Sequence, residues 1–364
     1  MTTDVSPVHI VLPGDIDDAT VPSGGNAYDR RVCQGLAAAG RPVREIAVPG
    51  DWPRPGAAAR AELARSLSAL PDGSLVLLDG LVACGVPEIV VPQADRLCLA
   101  VLVHLPLADE TGLAPALAAE LDALERETLR AASAVVATSP WAARRLISHH
   151  GLLESRVHVV TPGTDPAPLA TGTDGASQLL CVASVTPRKG QDLLVEALSA
   201  VADLPWTCVC VGPLRRDPAH VERLRRLIGQ RDLGDRIRLA GPQTGERLAT
   251  TYATADLVVL ASRAETYGMV VTEALARGIP VLATAVDGVP ETLGKDADGG
   301  VPGILVPPEE PAALAAALRR WLGEHDLRWR LRASARYRRR TLEPWEETAR
   351  RMAAVLARIP GRSA

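Results

Sequence analysis

Lysine is almost missing from this chain. Of 40 basic residues only two, Lys189 and Lys295, are lysines, and the rest are arginines. A compact ammonium, which binds phosphate as a point charge, is therefore offered at two positions only. Long apolar runs are missing too. The longest, Leu97 to Val103, falls far short of the ~20 residues that cross a bilayer, so no membrane-spanning helix is expected. At the N-terminus Val8-His9-Ile10-Val11-Leu12 is strand-length, is followed by acids and has no basic segment before it. No signal peptide is expected, and a cytoplasmic location follows. The six cysteines, at 33, 84, 98, 181, 208 and 210, lie mostly inside apolar runs. Cys208 and Cys210 share one face of a strand, but no second pair and no histidines stand at ligand spacing, so reduced buried thiols are expected rather than a metal site. A Gly-x-Gly-x-x-Gly dinucleotide fingerprint is also absent.

What is present fits an ordinary globular chain. Its 364 residues suffice for two domains, and 47% hydrophobic with 23% charged residues is a soluble composition. The net charge is −3, unevenly spread: 13 basic against 20 acidic residues over 1–168, and 27 against 23 over the remainder. That balance excludes a nucleic-acid footprint. Arg328, Arg330, Arg332, Arg336, Arg338, Arg339 and Arg340 form the densest basic cluster, read as a solvated helix face in preference to a membrane-docking patch.

Short apolar runs alternate with alanine-rich helical segments. In the first half, strands are predicted at Val8–Leu12, Pro42–Val48, Leu75–Leu78, Leu97–His104, Ala134–Thr138 and Val157–Thr161, with helices at 26–39, 57–69, 113–131 and 140–149. After a Pro-, Gly- and Thr-rich stretch at 165–177, read as a linker, a second series follows. Its strands fall at Leu179–Ala183, Thr207–Val211, Ile237–Leu239, Leu257–Leu260, Val281–Ala283 and Ile304–Val306, and its helices at 190–201, 218–230, 245–254, 269–277, 311–322 and 345–358. Such alternation predicts an α/β protein of two Rossmann-like, doubly wound parallel-sheet domains facing a cleft, with ligands at the carboxyl ends of the strands.

Chemistry concentrates in a few places. In Glu265-Thr266-Tyr267-Gly268-Met269-Val270-Val271-Thr272-Glu273, two acids bracket the entrance of a helix. Its N-terminal amides attract phosphate, and Gly268 permits close backbone approach. By itself the pattern fits a phosphorylated ligand as well as it fits an ordinary acidic helix start. Val185-Thr186-Pro187-Arg188-Lys189-Gly190 places one of the two lysines after the first strand of the second series. Pro22-Ser23-Gly24-Gly25-Asn26 follows the first strand of all, where paired glycines let a backbone approach phosphate or sugar. His104 ends an apolar strand, and Ser139 reads as a helix N-cap.

The stretch E-T-Y-G-M-V-V-T-E-A-L-A-x-G-x-P-V resembles the Glu-x7-Glu signature of retaining glycosyltransferases of family 4, which have the GT-B fold. The resemblance implies an N-terminal acceptor-binding domain (1–168), a C-terminal nucleotide-sugar donor-binding domain (169–340) and a last helix (341–364) crossing back onto the first. It implies retaining transfer from a nucleotide-diphosphate sugar, acting as co-substrate, with no cofactor and no metal, and no Asp-x-Asp ligand pair stands in a suitable loop. Glu273 would hold ribose hydroxyls, Glu265 would sit beside the donor sugar, and the amides of Gly268, Met269 and Val270 would meet sugar hydroxyls and phosphate. Lys189 matches the family's diphosphate-binding lysine. Ser184 stands where the family has an arginine, and the neighbouring Arg188 could supply that charge. Gly24 and Gly25 resemble the glycine loop that contacts donor phosphate, and Val103-His104-Leu105-Pro106 resembles the place of a histidine that contacts the donor sugar. Asp287-Gly288-Val289-Pro290-Glu291 resembles a family turn that shapes the loop near the signature helix. Expected partners are the nucleotide sugar and a small-molecule, glycan or lipid acceptor, without nucleic acid; peripheral membrane contact is not favoured. A GT-B nucleotide-sugar epimerase and a non-catalytic donor-binding subunit share the same signature.

Overall fold

The computed structural model describes residues 6–359. Backbone contacts divide the described residues into two compact units: one holds 6–18, Gly24–Gly163 and 344–359, and the other holds Ala19–Ser23 and Thr164–Glu343.

In unit 1 the elements run β1 (Val8–Pro13), α1 (Gly24–Ala38), β2 (Val43–Val48), α2 (Ala57–Ser68), β3 (Leu75–Asp79), α3 (Gly80–Ala83), α4 (Pro87–Val90), β4 (Cys98–Val103), α5 (Pro115–Ala131), β5 (Ala134–Ala137), α6 (Pro140–His150) and β6 (Val157–Val159). All strand pairs are parallel, in the order β2-β1-β3-β4-β5-β6. Alternate residues of each strand face opposite sides. Val76, Leu78, Leu99, Val101 and Val103 pack into one buried cluster, while Leu77, Ala100 and Leu102 pack into another. With helices on both faces, the central strands read as unbroken apolar runs. α1 buries Tyr28, Val32 and Leu36, four residues apart and on one stripe. Gly24 and Gly25 form its first turn, so the expected glycine loop is a helix start. The four-residue helices α3 and α4 are too short to show a period in sequence.

Unit 2 runs β7 (Gln178–Val182), α7 (Gln191–Ser199), β8 (Thr207–Val211), α8 (Pro218–Gln230), β9 (Ile237–Gly241), α9 (Gly245–Ala253), β10 (Leu257–Leu260), α10 (Met269–Ala276), β11 (Val281–Thr284), α11 (Val289–Leu293), β12 (Gly303–Val306), α12 (Pro311–Gly323) and α13 (His325–Arg338). The sheet is again parallel, in the order β12-β11-β10-β7-β8-β9. The chain then returns to unit 1 with α14 (Trp345–Arg358). There it packs on α1 so closely that a Cβ on Gly35 would lie 2.5 Å from the Cβ of Ala349.

Two expectations are corrected. Residues 165–177 are not a free linker: Ala170 donates to the Arg277 carbonyl, Thr171 and Gly172 to that of Ala253, and Thr173 to the Asp256 carboxylate. An extended, Pro- and Gly-rich strip has no internal hydrogen bonds, so it takes partners from the elements beneath it. The arginine cluster is not wholly a solvated face either. Arg332 pairs at 3.0 Å with Asp256, whose side chain is fully buried, and the Arg336 stem and the Arg338 guanidinium lie over Gly278 and Gly294. All six cysteines are buried thiols. Among the described residues no helix is long and apolar enough to cross a membrane.

Candidate active site

In each sheet the strand order reverses once, and the carboxyl ends at that reversal form the natural ligand crevice of an open parallel sheet. In unit 2 the reversal falls between β7 and β10. Lys189 and Arg188 lie just after β7, on a single 3-10 turn (Pro187–Lys189), and Glu265 lies just after β10.

Gly190 is what allows these two loops to touch. It sits at φ +64°, and a Cβ there would fall 1.9 Å from the Ala261 carbonyl oxygen at the end of β10. The close approach delivers the Lys189 ammonium to the Glu265 carboxylate, with which it forms an ion pair. The pair is only 15% and 13% exposed. Arg188 donates to the Ala264 carbonyl at 3.3 Å. Burial alone raises the Glu265 carboxyl, but the charges of Lys189 and then Arg188 outweigh it and hold the group below the ordinary glutamate value. Backbone bonds fix Glu265 as well: its N–H donates to Asp287 Oδ2 at 2.8 Å, and its carbonyl accepts the Gly288 N–H at 3.1 Å. The turn seen in sequence thus clamps the residue it was expected to lie near. Arg263 braces the other side, bonding both oxygens of Asp192 at 2.9 and 2.7 Å.

α10 begins at Gly268, at φ +82°, with no side-chain cap on its first amides. Met269 and Val270 form its first turn and stay half-buried. Glu273 comes one turn later. Tyr252 Oη donates to its Oε2 at 2.7 Å, and Arg277, stacked over the Tyr252 ring at 4.4 Å, donates to its carbonyl. Burial pushes the Glu273 carboxyl up, against the opposing influence of Tyr252 and Arg277. Ser184 lies two residues past β7 and uses its carbonyl to accept Gln191 Nε2 at 2.9 Å.

Unit 1 holds a second constellation at its own reversal, between β1 and β3. His104, after β4, hydrogen-bonds Asp29 Oδ1 at 2.8 Å and lies 3.8 Å from Asp79 Oδ2. Tyr28 meets its ring edge-to-face at 5.3 Å. A Cβ on Gly25 would press on the same imidazole at 3.3 Å. Burial works against charge on His104, yet the Asp29 carboxylate, with Asp79 behind it, raises the imidazole to about 9. Asp79 is pushed well above the usual carboxylate range by burial and by the like charge of Asp29. The imidazole is therefore held toward its charged form and the Asp79 carboxyl toward its neutral one.

The structure brings Lys189, Arg188, Glu265 and the start of α10 together, and separately gathers Gly25 and His104. Sequence reasoning missed Asp29, Asp79, Tyr252 and Arg263. Asp79 had a readable signal, an acid directly closing an apolar parallel strand. The other three act through partners 21 to 75 residues away, which no local pattern records.

Comparisons with known proteins agree with this fold. Residues 171–338 match the model described as glycosyl transferases group 1, and residues 103–168 match that of glycosyltransferase family 4. The D-inositol 3-phosphate glycosyltransferase of Kineococcus radiotolerans is 34% identical over 223 residues, which cover 55% of this chain and 51% of that protein. The chain thus spans about half the length of such curated relatives. Among solved structures, sucrose-phosphate synthase from Thermosynechococcus elongatus superposes with a TM-score of 0.78 at 23% identity, over 97% of this chain and 98% of that one. HepE from Anabaena in complex with UDP-glucose gives 0.75 at 18%, over 96% and 99%. These matches reach both units: the end of unit 1 is similar to glycosyltransferase family 4, nearly all of unit 2 to glycosyl transferases group 1, and the chain has the GT-B fold.

Proposed function

We propose that this chain transfers a sugar from a nucleotide-diphosphate sugar to an acceptor hydroxyl, with retention of anomeric configuration and without a metal ion. One observation carries the reading: the Lys189–Glu265 pair, with Arg188 beside it, held at the strand-order reversal next to the uncapped start of α10. In the reaction the bond from the anomeric carbon to the diphosphate breaks and one to the acceptor oxygen forms. The acceptor's proton ends on the departing diphosphate. Charge on that leaving group is met by Lys189, Arg188 and the α10 amides, and fixed donors aimed at developing charge commonly supply the largest catalytic contribution. Glu265, held ionised, accepts hydrogen bonds from sugar hydroxyls; Glu273, oriented by Tyr252, accepts them from the ribose. Arg188 takes the part of the arginine that Ser184 replaces. On unit 1, His104 supplies a charged donor to a sugar hydroxyl, with Asp29 holding the ring. HepE from Anabaena, a solved neighbour in complex with UDP-glucose, makes that compound the first donor to try, and the similar D-inositol 3-phosphate glycosyltransferases make an inositol phosphate the first acceptor.

Lys189→Ala and Glu273→Ala should each lower transfer at least ~100-fold while leaving a folded chain by circular dichroism. Wild-type rates in both would sink the site. Arg188→Ala should lose more than Arg215→Ala, an exposed control, if it carries diphosphate charge. A thermal-shift series over UDP-, GDP-, ADP- and dTDP-sugars identifies the donor, since a ligand that binds the folded state raises Tm. An anomeric NMR assignment of the product tests retention.

A further inference from the structure

Unit 1 gathers another ionisable group where α5 meets the end of α6. Asp122 and Glu125 lie one turn apart on α5, and His149 and His150 close α6. His149 Nε2 hydrogen-bonds Asp122 Oδ1, while Arg126 holds the other Asp122 oxygen at 2.6 Å. His150 and Glu125 have side chains only 1% exposed, with Nε2 of the histidine 3.1 Å from Oε2 of the acid. The second ring nitrogen of His150, Nδ1, is buried and has no hydrogen-bond partner. Leaving a buried polar atom unpaired costs about 1–3 kcal/mol, so such an atom calls for an explanation. The ligating atoms of Asp122, His149 and His150 all lie within 4.8 Å of one another, and the two imidazoles meet edge-to-face at 4.8 Å.

We propose that Asp122, His149 and His150 bind one zinc ion. Two imidazole nitrogens and one carboxylate oxygen form a donor set suited to zinc, with a fourth position left for water. His150 is built for ligation. Donation of its Nε2–H to Glu125 leaves Nδ1 as the unprotonated nitrogen, and a carboxylate behind a histidine is the usual support of a metal ligand. Glu125 is itself anchored, accepting the Leu107 N–H at 3.3 Å. Arg130 donates two hydrogen bonds, 3.1 and 2.9 Å, to the His150 carbonyl, and Gly151 at φ +62° ends the helix immediately after it. One ligand is therefore rigid, while His149 and Asp122 lie nearer solvent, where their side chains have room to adjust around an ion. None of these residues belongs to the groups assigned to sugar transfer. The ion would clip α5 to α6 and act on stability rather than on chemistry.

The test uses the whole chain, stripped with chelator and dialysed, then titrated with Zn²⁺ by calorimetry and with Co²⁺ by visible absorption. One equivalent of saturable zinc is expected, with a higher Tm and Co²⁺ d–d bands of a site with fewer than six ligands. His149→Ala and Asp122→Asn should each weaken binding at least tenfold and abolish the Tm gain while keeping the apo Tm and the transfer rate. His150→Gln sits in the core and can fail by misfolding, so the two outer variants decide. Absence of saturable binding, or unchanged affinity in the Asp122→Asn/His149→Ala double variant, overturns the assignment.

Discussion

Glu265 and Glu273 stand eight residues apart, yet their surroundings push them in opposite directions. Burial acts on both, but Lys189 and Arg188 reverse it at Glu265, whereas Tyr252 and Arg277 fail to reverse it at Glu273. A carboxyl held below its unfolded value stabilises the fold above that value and loses the contribution as pH falls through the folded one. A raised carboxyl does the opposite, opposing folding once it ionises. Glu265→Gln should therefore destabilise at pH 7 by about 1–3 kcal/mol, since it removes the carboxylate charge that pairs with the Lys189 ammonium. Glu273→Gln should melt at the wild-type Tm or above it, and the gain should vanish as the buffer is acidified. Urea denaturation at pH 7 and pH 4.5 distinguishes the two. His104 gives a third case. Its folded value, about 9, exceeds the unfolded ~6.5, so its stabilisation is complete below the unfolded value, falls between the two and is gone above the folded one. The Tm gap between the wild type and His104→Gln should narrow across that window, from an upper limit of about 3 kcal/mol. A constant gap would show that the imidazole stays neutral.

At the scale of elements, loop-to-loop contact governs the site more than helix propensity does. Gly190 starts α7 in a left-handed conformation with a carbonyl where its side chain would be. Gly190→Ala should part the β7 and β10 loops and separate Lys189 from Glu265. We expect a Tm drop corresponding to 2 kcal/mol or more, on the order of a left-handed strain plus a steric clash. Turnover per folded molecule should also fall, which a purely structural role would not produce. Element boundaries were largely legible because both sheets are buried on two faces, so their strands are short, unbroken apolar runs. α13 was not legible. Its buried stripe is thin, Leu327, Leu331, Ser334 and Ala335, and arginines crowd the remaining positions, so composition masks the period. Those arginines have inward tasks that only tertiary contacts reveal, such as neutralising buried Asp256.

For the molecule as a whole, two parallel sheets each reverse strand order once, and each reversal collects charged side chains at its carboxyl edge. The unit 2 edge carries two cations, Lys189 and Arg188, which in the proposed reaction meet the diphosphate. Initial transfer rates should accordingly survive EDTA at temperatures well below Tm, while Tm itself falls if zinc occupies the Asp122, His149 and His150 group. Complete loss of rate with EDTA, restored by Mn²⁺, would refute metal-independent transfer without touching the zinc proposal, because the two readouts are separate.

Sequence by itself determined the alternation of strands and helices, the two-unit plan and the placement of Glu265 and Glu273 at one helix entrance. These follow from short-range rules, burial periodicity and helix start signals, that act within about twenty residues. Only tertiary structure decided which side chains meet: Lys189 with Glu265 across 76 residues, His104 with Asp29 across 75, and His150 with Glu125 across 25. Such pairings depend on which strands and helices become neighbours, and strand order in a parallel sheet is set by packing and crossover connections rather than by any local pattern in the chain.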